Sequence, residues 1–381
     1  MPTVAIAGAG FSGAVIAHEL ARQGYQVDVF EAREHVAGNC HTERDRDTGI
    51  LVHRYGPHIF HTSHERVWNY VRRFDEFMPF TNRVKAIVRG RVYSMPVNLH
   101  TINQFFGMAL GPAAAREFLA AHADLSIAEP RSFEEQALRY MGRALYEAFF
   151  KGYTQKQWGR APAELPASIL KRLPLRFSYD DNYYASTWQG MPRHGYTAIV
   201  EKMLDSPRIR VRLATPFSRA MAADYAHVFC TAPIDAWFDH AEGRLGYRTL
   251  DFKAERHDGD YQGNAVINYC DEDIPWTRIA EHKHFAPWER HEGTLIYRES
   301  SRDCGPSDTP YYPVRLAQEK GQLARYVALA ETETGVSFVG RLGTYRYLDM
   351  HVTIAEALDW SDRVKAGGLQ GLPAFAVSPL G

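Results

Sequence analysis

The sequence predicts an α/β protein that opens on a βαβ unit and continues into a helical region and an antiparallel sheet. Three observations carry this. An apolar run, Thr3–Ala7, leads into Gly8-Ala9-Gly10-Phe11-Ser12-Gly13 and then a helical pattern. Residues 101–157 are rich in Ala and Leu with few strand formers. Several β-rich segments follow between Tyr247 and Arg298. At 381 residues the chain exceeds one ordinary hydrophobic core, so more than one domain is expected.

Taken in order, Thr3–Ala7 is short and wholly apolar, the pattern of a buried parallel strand. The helix after it runs to about Gln23, with Ala14, Ala17 and Ala21 on one small-residue face and Gly24 ending it. Val27–Phe30 is the second strand, and Glu31 stands at its end. Val84–Val88 and Arg91–Ser94 flank Arg89-Gly90 as a hairpin. Residues 160–195, punctuated by Pro162, Pro166, Pro174 and Pro192, read as irregular. A helix is expected at Tyr196–Leu204, then a strand pair near Ile209–Leu213 and Ala226–Cys230. Tyr247–Glu255, Ala265–Tyr269 and Thr294–Arg298 are further strands, and Gln318–Ala330 is a helix. Ser337–Val339 runs into Gly340-Arg341, His351–Leu358 opens a last helix, and the tail from Ala366 is expected to fray.

Composition excludes several classes. Lys+Arg total 44 against 45 Asp+Glu, a net charge of −1, so bulk charge argues against a nucleic-acid binder. Four scattered cysteines without a CxxC pair argue against a disulfide scaffold or zinc ribbon and fit a reducing compartment. No run of about 18 apolar residues indicates a membrane span. The chain starts on a strand-like segment rather than a basic and apolar leader, so a cytoplasmic protein is expected.

The glycine pattern is weak alone but here has a strand before it, a helix after it and an acid ending the next strand. Gly8 permits the tight turn, Gly10 lets the backbone approach a pyrophosphate, and Gly13 lets helix and strand pack closely. Phe11 and Ser12 open the helix whose free N–H groups and dipole favour a phosphate. Glu31 suits a ribose diol and disfavours a 2′-phosphate. Gly38-Asn39 follows, and Gly340-Arg341 returns from the far end of the chain, which suits an extended dinucleotide, FAD rather than NAD. The start of the last helix, Leu348-Asp349-Met350, offers N–H groups to a flavin carbonyl.

A second constellation mixes aromatic rings with arginines. It comprises Phe149–Gly159, Lys171-Arg172-Leu173-Pro174, Asp180–Tyr184, Arg278, Tyr311-Tyr312-Pro313 and Tyr345-Arg346-Tyr347. Guanidinium forks bind a diphosphate bidentately, tyrosine hydroxyls add donors and rings stack on a base, so a nucleotide-sugar site fits. His53, His58, His61 and His64 invite a metal reading. Gly56-Pro57 argues against one helix and no acid or cysteine nearby completes a set, so no metal is expected and the loop lines the flavin. His282-Lys283-His284 reads as a solvated strand end without chemistry. No Gly-x-Ser-x-Gly elbow is present, which leaves the reactive group to the cofactor.

With these residues in view, the chain resembles the UDP-galactopyranose mutase family. The matching segments are Gly8–Gly13, Tyr55–Thr62, Tyr93–Leu99, Lys151–Gly159, Leu165–Arg176, Tyr179–Tyr184, Gln262–Asn268, Thr277–Phe285, Tyr311–Val314 and Gly340–His351. The resemblance implies a Rossmann-like FAD-binding domain with a helical domain and an antiparallel β-sheet domain. The first would comprise 1–77, 193–243 and 316–365, the helical domain 101–163, and the sheet domain 78–100, 164–192 and 244–315, with 366–381 a flexible tail.

It further implies that Arg172 lies on a mobile loop closing over the diphosphate and that Arg278 is the fixed arginine opposite. Tyr183, Tyr312 and Tyr347 would bond the phosphates, and Tyr153, Thr154 and Trp158, with Phe149 and Phe150, the uridine. His61 would stand beside flavin N5, with His58, Ile59, Asn268, Arg341, Asp349 and Met350 near the flavin. The implied reaction interconverts the pyranose and furanose forms of a UDP-sugar: reduced flavin N5 attacks the anomeric carbon and expels UDP, without net redox change. The resemblance also implies a homodimer. Ala37-Gly38 stands where the family has two glycines and Leu348 where a tyrosine is common, which leaves the sugar open. Two other functions use the same fold: a flavin oxidoreductase of the amine-oxidase type, and a non-catalytic binding protein.

Overall fold

A computed structural model describes residues 2–172 and 175–380. Its centre is a five-stranded parallel sheet in the order 209–212, 26–30, 3–7, 227–230 and 336–338. Thr3–Ala7 is its middle strand, which is why its side chains from Val4 on are all buried. The helix Phe11–Arg22 turns its alanines inward against the last helix, Met350–Gly367. Ile209–Arg212 and His227–Cys230 both form, but not as neighbours. The strands 26–30 and 3–7 lie between them, because parallel strands joined through crossovers need not follow chain order.

A seven-stranded sheet runs in the order 312–313, 247–258, 293–303, 278–281, 266–269, 85–88 and 91–94. All its pairings are antiparallel except that of 266–269 with 85–88. The predicted hairpin is present, and its turn places Arg89 at φ +50° and Gly90 at +71°, as a two-residue loop between right-twisted strands requires. Helices at 99–106, 112–122, 133–145 and 152–158 form the helical region. Asn98 caps the first of them by accepting from Thr101 N at 3.0 Å. Within the segment read as irregular, Trp188–Pro192 is a strand that joins Phe60–Thr62 and Phe77–Pro79 in a small antiparallel sheet. Its glycine and its closing proline hid it. Among the described residues no helix is long and apolar enough to cross a membrane.

Two further expectations change. The tail does not fray: Phe338 N donates to Ala374 O at 2.8 Å, Ser337 Oγ to Pro373 O at 2.8 Å, and Phe375 stacks on Phe338. It covers the edge strand 336–338, whose unpaired backbone groups need a partner. His282-Lys283-His284 is a 3-10 turn, not a solvated strand end, and His282 is fully buried, edge-on to Tyr297.

Ala37 holds φ +74° where glycine would be unstrained. The left-handed region costs a residue with a Cβ about 1–2 kcal/mol. Removing the methyl, buried at 1% exposure, gives back about 0.8 kcal/mol. Ala37→Gly is therefore expected to stabilise the fold by up to about 1 kcal/mol, read as a higher urea midpoint at unchanged slope. A lower midpoint would show that packing of the methyl outweighs the strain.

Candidate active site

Five glycines shape a cradle at the carboxyl end of the parallel sheet. Gly8 has φ +112°, donates to Phe30 O at 2.7 Å, and has Thr231 Oγ1 where a Cβ would go. A Cβ on Gly13 would fall 2.0 Å from Gly8 O. Gly10 and Gly38 face each other across the mouth of the turn, and a Cβ on Gly38 would sit 3.4 Å from Gly10 Cα. Gly340, at φ +74°, brings the far end of the chain against Ser12. Glu31 is 8% exposed and accepts from Ala9 N at 2.9 Å and Arg33 N at 3.0 Å, so its remaining lone pairs are already oriented. Phe11 is buried edge-on to Tyr196 and contributes its backbone rather than its ring.

Asn39 accepts from Arg33 Nη2 at 2.8 Å and donates to Pro310 O at 3.3 Å. Arg33 lies 4.5 Å over the Tyr55 ring, and its Nη1 is buried without a partner. Sequence reasoning missed Arg33, although its spacing two residues beyond Glu31 was visible. A cradle closed to side chains, an oriented carboxylate and an orphaned guanidinium nitrogen fit a dinucleotide such as FAD.

The second constellation is assembled by strand register. Asn268 pairs with Arg278, and Arg278 with Glu299, so three adjacent strands present these groups in one row. Arg278 Nε lies 3.1 Å from Glu299 Oε1, and Glu299 is 2% exposed. Burial pushes the Glu299 carboxyl up, and Arg278 pulls it only part of the way back. Burial also opposes the Arg278 charge, but Glu299 with Tyr153, Tyr312 and Tyr183 more than restores it. Glu299 was not anticipated, since in the sequence it is one acid in a polar strand.

Tyr312 stacks on Tyr347 at 5.7 Å, and Arg341 covers Tyr347 at 5.3 Å. Arg341 itself donates to Tyr311 O and Leu348 O at 3.2 and 2.9 Å, which fixes the loop before the last helix. Asp349 precedes the first turn of that helix, and Met350 begins it. Burial raises the phenol pKa of Tyr153, Tyr183 and Tyr312, so these hydroxyls stay protonated donors at neutral pH.

His61 stacks on Tyr184 at 3.7 Å with Nδ1 3.0 Å from Ser186 Oγ. Burial lowers it to about 4, against the opposing pull of Asp349. His58 donates from Nδ1 to Gly56 O at 2.9 Å; burial, with Arg341 and Arg278 nearby, lowers it to about 4. Both are neutral at pH 7. Ile59 is 8% exposed between them. Of the four histidines weighed for a metal, His61 has ligand atoms within 4.8 Å of those of Asp349 and His351, an acid the linear spacing did not reveal. The His53 ring stacks on His282 at 6.1 Å, and its Nδ1 accepts from the His58 backbone N–H at 3.3 Å.

On the helix 152–158, Tyr153 reaches the Arg278 group, Trp158 is half-buried and Thr154 is 4% exposed. Phe149 and Phe150 are 2% and 4% exposed, and Phe149 packs edge-on against Tyr93 and Phe105. Arg172 ends a 3-10 turn, Ala167–Arg172, and its side chain lies outside the described residues, as do Leu173 and Pro174.

A family profile described as UDP-galactopyranose mutase matches residues 148–347, and one for an NAD(P)-binding Rossmann-like domain matches 6–74. The chain is 56% identical to the "Probable UDP-galactopyranose mutase" of Klebsiella pneumoniae, over 98% of each chain. It is 51% identical to the dTDP-fucopyranose mutase of Escherichia coli, over 94% of this chain and 97% of that one. Among solved structures, reduced UDP-galactopyranose mutase superposes with a TM-score of 0.75 over 96% of both chains; at 15% identity this shows the fold. Profile, identity and coverage agree with the row of groups around Arg278, and the chain belongs to the UDP-galactopyranose mutase family.

Proposed function

We propose that the protein interconverts the pyranose and furanose forms of UDP-galactose or a close nucleotide-sugar relative. It would use FAD held by Gly8, Gly10, Gly13, Glu31, Gly38, Asn39 and Gly340. The observation that carries this is Arg278, set among buried tyrosine hydroxyls and paired through Nε with Glu299. That pairing leaves both terminal nitrogens without a hydrogen bond among the described residues, a fork free for a diphosphate. Reduced FAD supplies, when bound, the electron-rich centre that displaces the nucleoside diphosphate from the anomeric carbon.

The chain's own part is then to hold what leaves and orient what stays. Arg278, with Arg172 by resemblance, neutralises the departing diphosphate. Tyr183, Tyr312 and Tyr347 donate to its oxygens. Neutral His58 and His61 leave that positive charge to the arginines. Tyr153 and Trp158 receive the base. Segments 1–77, 193–243 and 316–365 serve the cofactor, and the seven-stranded sheet the diphosphate. Four free cysteines support a reducing, cytoplasmic setting, and the working form is a homodimer.

The test reduces the protein with dithionite, offers UDP-galactose and dTDP-fucose, and follows furanose signals by NMR. Furanose is expected with reduced protein alone and without consumption of an oxidant. Equal turnover by oxidised protein, or oxidant consumed with substrate, favours the amine-oxidase reading. That reading has narrow sequence support, since the L-amino-acid oxidases of Bothrops moojeni and Bothrops atrox match only 72 residues, 19% of this chain.

A further inference from the structure

Lys156 lies one helical turn beyond Gly152 on the helix Gly152–Trp158. Its Nζ lies within hydrogen-bond distance of four backbone carbonyls: Tyr269 at 2.8 Å, Asp271 at 2.7 Å, Ile274 at 2.9 Å and Trp276 at 3.1 Å. An ammonium has three N–H donors, so the fourth carbonyl shares one of them or meets the charge. Tyr269 ends the strand Val266–Tyr269, and the other three acceptors belong to the connection from it to the strand Arg278–Glu281. The two ends of that connection carry Asn268 and Arg278, which sit opposite each other in the register.

An independent feature puts the same helix on the same loop. At Gly152 a Cβ would fall 2.4 Å from Cys270 O and 2.8 Å from Glu272 Cγ, so only glycine allows this approach. Residues four apart share a helix face. Gly152 therefore brings the helix onto the loop and Lys156 fastens it there. Tyr153 extends from the neighbouring face to the Arg278 group.

We propose that Lys156 is a positioning residue for substrate binding: its ammonium sets the separation between the base-binding helix and the diphosphate-binding Arg278. This rests on the function proposed above, in which one nucleoside diphosphate touches both. A ligand spanning two elements binds well only when their spacing is preset. The span is the same in ground state and transition state, so a loosened clamp raises KM and leaves kcat nearly unchanged.

The experiment compares wild type, Lys156→Met and Gly152→Ala, all with flavin bound. UDP and inorganic pyrophosphate are titrated by calorimetry, and KM and kcat are measured on the reduced enzyme. In both variants the Kd for UDP and KM are expected to rise about tenfold, roughly one decade of affinity. Pyrophosphate, which reaches only the arginine end, is expected to bind as in wild type. Wild-type UDP affinity in a variant with merely lowered Tm overturns the proposal, because the clamp is then structural only. Equal loss of UDP and pyrophosphate also overturns it, since the arginine end itself has then been disturbed. Should Lys156→Met fail to fold, Gly152→Ala decides by the same criteria. Failure of wild type to bind UDP overturns the parent function instead.

Discussion

Arg278→Ala is expected to keep its flavin and lose about 10²–10³ of its turnover, the range seen when a preorganised charge-stabilising donor is removed. The flavin should stay because the cradle around Gly8, Gly10 and Gly13 lies on the other sheet, and no glycine in it touches Arg278. The substitution also strands Glu299, 2% exposed, without its cation. Breaking a buried pair on one side typically costs about 3–5 kcal/mol. Burial already raises the Glu299 pKa, so uptake of a proton offsets part of that loss.

Stability and catalysis are separable by a second change. Arg278→Ala with Glu299→Gln removes the stranded charge, so the double variant should recover most of the urea midpoint. It should not recover turnover, because no fork remains to hold the diphosphate. The measurements are flavin absorbance, urea midpoint and kcat/KM of the reduced enzyme for each single variant and the double. Near-normal turnover in Arg278→Ala would refute the role given to this arginine.

The contrast between Arg278 and Glu299 shows what the linear sequence could carry. The βαβ start was legible because its signals are local: apolar Thr3–Ala7, three spaced glycines, then the acid Glu31. Tyr196–Leu204 was read with the bounds the helix has, since periodicity alone sets it. Arg278 was reached by family resemblance. Glu299 was not, because its partner stands 21 positions earlier and only register joins them. The role of Lys156 is hidden for the same reason: its acceptors are carbonyls more than 100 residues away. The tail failed in the opposite sense. Its Gly/Pro composition describes a chain without a ladder of its own, and the bonds that hold it come from the edge strand 336–338. Strand order, cross-strand rows and borrowed hydrogen bonds are tertiary facts, and the site is built largely from them.

The glycine cradle gives the other large effect, and its members should fail for different reasons. A Cβ on Gly13 would lie 2.0 Å from Gly8 O and 2.9 Å from Ile6 Cγ2. The first obstacle is backbone and cannot swing away, so the helix Phe11–Arg22 must lift from the turn. Lifting it withdraws the helix N-terminal N–H groups that would meet the pyrophosphate. Gly13→Ala is therefore expected to purify colourless, to stay so with added FAD, and to melt lower than flavin-free wild type.

Gly10 is different. A Cβ there would meet nothing nearer than Gly38 Cα at 4.0 Å, so the protein alone has room for it. Any penalty must come from the ligand, at the point where backbone and pyrophosphate are meant to approach. Gly10→Ala should match the Tm of flavin-free wild type yet bind FAD at least about tenfold more weakly, a difference of about 1.4 kcal/mol. Flavin titration and melting of the two apoproteins test both expectations together. A yellow, stoichiometric Gly13→Ala would show that the helix tolerates displacement, and an unimpaired Gly10→Ala that the pyrophosphate does not pass over that turn.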